Sequence, residues 1–155
     1  SEGTDTLVNI ERLAFSDVKL AYDVGSVTTL GNAGSAALLT AALLGKAGLA
    51  NKAAVGAVMG VLDAGVTLAQ ACDLAVSTGL INTLAGGSDT TSFSKLLLRN
   101  LTGSDTNTTL VATLVGLVDS GAYTRGALIN AAAVLDLNQA NINLTGLAGT
   151  GVEYL

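Results

Sequence analysis

Few side chains in this sequence could carry chemistry. It has no histidine, a single cysteine (Cys72), and three glutamates, Glu2, Glu11 and Glu153, all close to the ends. Without an imidazole, a nucleophile cannot be paired with the usual base, and zinc lacks its customary His or Cys cluster. Cys72 lies at helical spacing between Leu68 and Ala75 and reads as a small core residue. Paired carboxylates are the remaining route to acid–base work. However, Asp63, Asp73, Asp89, Asp105, Asp119 and Asp136 fall mostly where helices should start or stop, and capping and turn chemistry account for them there. Phosphate cradles fare no better. Lys46 is followed by Ala47 instead of Ser or Thr, and Gly146, Gly149 and Gly151 follow no clear strand. The residues therefore predict no catalytic site and no cofactor.

The elements that would position any site are built from small apolar residues. Half of the 155 residues are hydrophobic but only 3% are aromatic, so the core must rest on Ala, Leu and Val. Charged residues make up 12%, and the net charge is −5. The seven basic residues are scattered, which argues against a nucleic-acid partner. The dense apolar run Ala36 to Leu44 is well short of the roughly 20 residues of a membrane-spanning helix. No signal peptide is visible at Ser1, so Ser1 is expected to be a processing boundary.

Along the chain, residues 1–23 differ from the rest. Leu13 and Phe15, then Val18, Leu20 and Tyr22, alternate with polar or small residues around a Ser16-Asp17 turn, which predicts a short β-hairpin led into by Val8 and Ile10. From Asn32 the pattern is helical. We expect about six helices in residues 24–155, in two similar units at about 36–78 and 89–137, followed by a polar, Gly-rich tail from Asn138 that closes on a strand-like Val152-Glu153-Tyr154. Gly65 should end the second helix, Thr67 should cap the third and Asp89 the fourth, Ser104 or Asp105 should open the fifth, and Thr124 the sixth. The two units rest on a repeat. Gly60-Val61-Leu62-Asp63-Ala64-Gly65 matches Gly116-Leu117-Val118-Asp119-Ser120-Gly121 at an offset of 56, and Asn51 meets Asn107. Gly56 and Gly60 form a small-xxx-small pattern that predicts close contact between helices.

Two stretches resemble known families. Gly3 to Asp17 (GTDTLVNIERLAFSD) resembles the segment that follows the last calcium-binding nonapeptide of RTX, or hemolysin-type, proteins. No complete nonapeptide precedes Gly3. That resemblance implies calcium as the ion to consider, with Asp5, Asp17 and Asp23 as the ligands to test. It also implies a type I secreted bacterial protein, found outside the cell or on its surface. The helical part resembles the bacterial family called domain of unknown function 4214. The residues that carry this are Phe93 to Gly103 (FSKLLLRNLTG), Leu117 to Gly126 (LVDSGAYTRG), Leu137 to Asn141 and Gly151 to Tyr154. Where that family has Tyr, Trp and Phe landmarks, this chain has Leu98 and small residues. Neither family implies an enzymatic activity.

Three functions follow as expectations. The first is a non-enzymatic structural module of a secreted layer, matrix or filament, whose partners are other copies of itself or preceding RTX repeats. Low charge and a mean hydropathy of +0.58 favour it. The second is an adhesin or carbohydrate-binding module acting on a surface glycan, for which two Phe, three Tyr and no Trp are a thin aromatic supply. The third is a secretion signal, because Leu137 to Leu155 carry one charge, Glu153, and end on an apolar residue.

Overall fold

The computed structural model describes residues 10–26 and 28–155. Within them the fold is mainly α-helical, with a small antiparallel hairpin near the N-terminus. Strands β1 (Arg12–Ala14) and β2 (Lys19–Ala21) pair as Arg12↔Ala21, Leu13↔Leu20 and Ala14↔Lys19. Val8, the residue expected to lead into it, lies outside the described residues. A second hairpin, β3 (Gly25–Ser26) and β4 (Thr29–Leu30), follows.

Helix α1 (Asn32–Leu44) is the centre of the molecule. Every residue from Ala33 to Leu43 is buried, as expected of a helix that is apolar all round. Beyond a 3-10 turn (Lys46–Ala50), the remaining helices are α2 (Lys52–Asp63), α3 (Leu68–Ser77), α4 (Leu80–Ala85), α5 (Thr90–Thr102), α6 (Thr108–Asp119), α7 (Arg125–Val134), α8 (Asp136–Asn141) and α9 (Leu144–Thr150). Strand β5 (Val152–Tyr154) then returns to pair with β2, giving the order β1-β2-β5.

The helices fall into two runs of the same order and length. α1 to α4 have 13, 12, 10 and 6 residues, and α5 to α8 have 13, 12, 10 and 6. Local chemistry repeats as well. Asn51 accepts from the Ala54 N–H and Asn107 from that of Leu110. Thr67 and Thr124 cap α3 and α7 through the N–H groups of Gln70 and Ala127. Gly65 (φ +89°) and Gly121 (φ +74°) both take the left-handed conformation that ends α2 and α6. Gly60 and Gly116 are the ninth residues of their helices. The units meet along α1 against α5 and α3 against α7. At the second crossing, Gly126 lets α7 approach so closely that a Cβ there would strike the Asp73 carboxylate.

Several details differ from the sequence reading. Nine α-helices stand among the described residues instead of about six. The extra three, α4, α8 and α9, are only six or seven residues long, too short to show a helical period. α6 opens at Asn107, whose side chain accepts from the Leu110 N–H, and Asp105 pairs with Arg99 at 3.1 Å. The tail from Asn138 is folded. Asn138 is 1% exposed, and its Nδ2 donates to the carbonyls of Leu38 (3.0 Å) and Ala133 (2.8 Å). The Gly56 and Gly60 pattern does not mark a helix crossing. Gly56 lies against the backbone of Leu155, and Gly60 faces open space.

Candidate interaction surface

Of the calcium-candidate residues, Asp17 and Asp23 are not brought together. Asp5 lies outside the described residues. Asp17 is exposed at the hairpin turn, and Asp23 lies past the opposite end of the hairpin, beyond Ala21. Asp23 is ion-paired with Arg12 and accepts from the backbone N–H groups of Asn32 (3.1 Å) and Ala33 (3.4 Å) at the start of α1. Its charge therefore complements the positive end of that helix. Arg12 reaches on to Asp63 at 2.9 Å, and the Asn32 amide donates to the same Asp63 oxygen at 2.8 Å. This cluster clasps the hairpin to α1 and α2. Among the described residues no group of three His, Cys, Asp or Glu side chains is placed to hold a metal ion.

The remaining reactive groups have structural surroundings. Cys72 is fully buried, and burial, with Asp73 adding to it, pushes its thiol up to about 12. Asp89 caps α5, and hydrogen bonds from the Ser92 hydroxyl (2.6 Å) and N–H (2.9 Å) hold its carboxyl below the ordinary value. The Arg125 guanidinium sits over Phe93 at 5.5 Å and donates to the Ser88 carbonyl at 2.8 Å, pinning the loop between the units. Among the described residues no single helix is long and apolar enough to cross a membrane.

What the surface offers is apolar. A groove of about 270 Å³ opens between α1, α2, α3 and α4. Leu39, Ala71 and Ala75, all buried, form its floor, with Val58 and Val61 as a wall. Leu74 and Leu80, each 43% exposed, rise at the rim. No charged residue lines it, and Thr78 brings the only hydroxyl. In the second unit α6 is equally apolar, yet only Val111 of its twelve residues is fully buried. Leu110 is 45% exposed, whereas Leu114 and Leu117 are half-buried and pack against the core. The first-unit counterpart of α6 differs in what covers it. On α2, Lys52 binds Glu153 at 2.8 Å and its carbonyl accepts from the Leu155 N–H at 3.2 Å, so the C-terminal strand shields that helix.

The sequence did not single out this surface. Its signal was present in the uncharged run from Thr106 to Val118, which the helical period alone could not distinguish from a core helix. Comparison with family models, with curated proteins and with solved structures finds no match to this chain.

Proposed function

We propose that this chain is a non-enzymatic, self-associating structural module of a secreted bacterial surface layer, matrix or filament protein. The observation that carries the proposal is the uncharged apolar surface: a groove in one unit and a leucine-bearing helix in the other. Apolar patches of this kind on a folded domain are commonly interaction sites. The RTX-like N-terminal stretch supports an extracellular setting. The clasp of Arg12 to Asp23 and Asp63 fixes the hairpin to the helical body. Sedimentation velocity and light scattering over a concentration series test the proposal. Growth of species beyond the monomer is expected, and a strict monomer at millimolar concentration refutes it.

A second reading, glycan binding, draws on a cavity of about 540 Å³ at the C-terminal ends of α1 and α5. Lys46, Arg99, Asn100 and Asn141 line it. The Asn100 and Asn141 Nδ2 groups donate to the carbonyls of Ala42 (3.0 Å) and Leu101 (2.7 Å), which leaves their amide oxygens as acceptors beside Lys46 and the Asp105-paired Arg99. Its lining includes no aromatic platform. Retention on a glycan array that Asn141→Ala abolishes would favour this reading.

A further inference from the structure

We propose that copies of this chain join by exchanging strand β5, which leaves the slot between β2 and α2 of its own copy and fills the same slot of a second copy. This rests on the self-association reading and names the segment that passes between copies.

The slot and its occupant both stand in the fold. β5 adds to the edge of β2 as an antiparallel strand, with Lys19↔Tyr154, Leu20↔Glu153 and Ala21↔Val152 opposite one another. Each residue of the strand has a fitted place. Val152 is 3% exposed and belongs to the core. Glu153 pairs with Lys52 at 2.8 Å, and the Lys19 ammonium lies 5.7 Å from the centre of the Tyr154 ring. The Leu155 N–H donates to the Lys52 carbonyl at 3.2 Å, and Gly56 leaves room for the Leu155 backbone, which any Cβ there would strike. Strand addition of this kind takes its affinity from backbone hydrogen bonds and its selectivity from alternate side chains. A second copy presents the identical slot, so its fit to β5 requires no new complementarity.

The hold of β5 on its own slot is slight. α9 joins the strand to the helical body and is seven residues long, Gly146 and Gly149 among them. So short a helix is not stable by itself, and each glycine weakens it further. Leu144 is its buried residue, while Thr145, Ala148, Gly149 and Thr150 are exposed. Its N-cap, Asn143, makes no side-chain hydrogen bond to the helix. The ladder to β2 is three residues long, and the Lys52–Glu153 pair is part-exposed, where an ion pair contributes little. Segments held this way are the first to open locally. On unwinding, the seven residues of α9 lengthen from about 10 Å to at most about 25 Å, enough to carry β5 clear of the slot. Reciprocal exchange closes a dimer, and exchange passed on to a third copy extends a chain. Because each slot's own strand competes with every incoming one, exchange should appear only at high protein concentration.

The test places cysteines at two facing positions of the full chain, Lys19→Cys with Tyr154→Cys, together with Cys72→Ala. Opposed residues of an antiparallel pair lie about 4.5–5.5 Å apart at Cα, within the span of a disulfide. Oxidised while dilute, this variant should close the bond within one chain and stay monomeric in sedimentation velocity at concentrations where its reduced form assembles. Oxidised after assembly, it should give disulfide-linked oligomers on a non-reducing denaturing gel, because position 19 then faces position 154 of another copy. If circular dichroism shows the paired variant unfolded, Gly149→Ala alone replaces it. Alanine fits the open space there, stiffens α9 and should slow growth roughly fivefold. An assembled sample that yields only the internal disulfide, a locked monomer that still assembles, or growth unchanged by Gly149→Ala overturns strand exchange alone. An unaltered chain that never assembles overturns the self-association reading with it.

Discussion

Replacing Asn138 with alanine should be among the most damaging single changes in the molecule. The amide is buried and donates to two carbonyls. The Leu38 carbonyl lies inside α1, where the helix can still supply a donor. The Ala133 carbonyl belongs to the last turn of α7, where no following helical N–H is in register. Removing the side chain leaves that carbonyl buried without its partner, at about 1–3 kcal/mol, and loses a second bond worth about 1 kcal/mol. The expected total is about 2–4 kcal/mol, and at roughly 2–4 °C per kcal/mol for a domain of this size the melting temperature should fall by roughly 10 °C. Asn138→Asp preserves the shape but turns a carboxylate toward two carbonyls. It should cost more than alanine at neutral pH and recover as acid protonates it. Urea unfolding followed by circular dichroism gives both values. A loss below about 0.5 kcal/mol for Asn138→Ala, with an unchanged denaturant slope, would show that α8 does not lock onto α1 as described.

Other substitutions probe the rest of the account. Gly56→Ala should push Leu155 off α2 and cost about 1–3 kcal/mol, whereas Gly60→Ala, facing open space in mid-helix, should stabilise by about 0.5–1 kcal/mol; thermal melts of the pair decide whether the strand or a helix occupies that face. Arg12→Ala should loosen the hairpin, costing about 1–2 kcal/mol because the cluster is part-exposed, with faster amide exchange from Arg12 to Ala21 and unchanged exchange in α5. Cys72 should resist thiol reagents in the folded protein, and since its folded value lies above the unfolded one, stability should decline as pH rises from about 9 toward about 12. Spectrophotometric alkaline unfolding of Cys72→Ala, which should lack that component, checks the sign.

The sequence shows much of this fold because its punctuation is local. Thr67, Asp89 and Thr124 announce helix starts, since a short polar side chain must bind the free N–H groups of the first turn. Gly65 and Gly121 mark stops for the complementary reason. The hairpin was legible from alternation alone. Residues 136–150 were not, because Asn138 and Asn141 are polar residues whose amides serve the ends of other helices, and no period reveals a partner so distant in sequence. The pairing of β5 with β2 was hidden for the same reason. The groove could be found only in the folded chain, because its lining comes from four helices. Ala71 and Ala75 look like any small helical residues until the fold sets them beside Leu39 under the rim of Leu74 and Leu80.

The measurement that bears most directly on the central claim is sedimentation velocity of the full chain from micromolar to millimolar concentration, without detergent. Self-association predicts a monomer at the dilute end and larger species that grow with concentration. A single sharp monomer boundary throughout the series would contradict it.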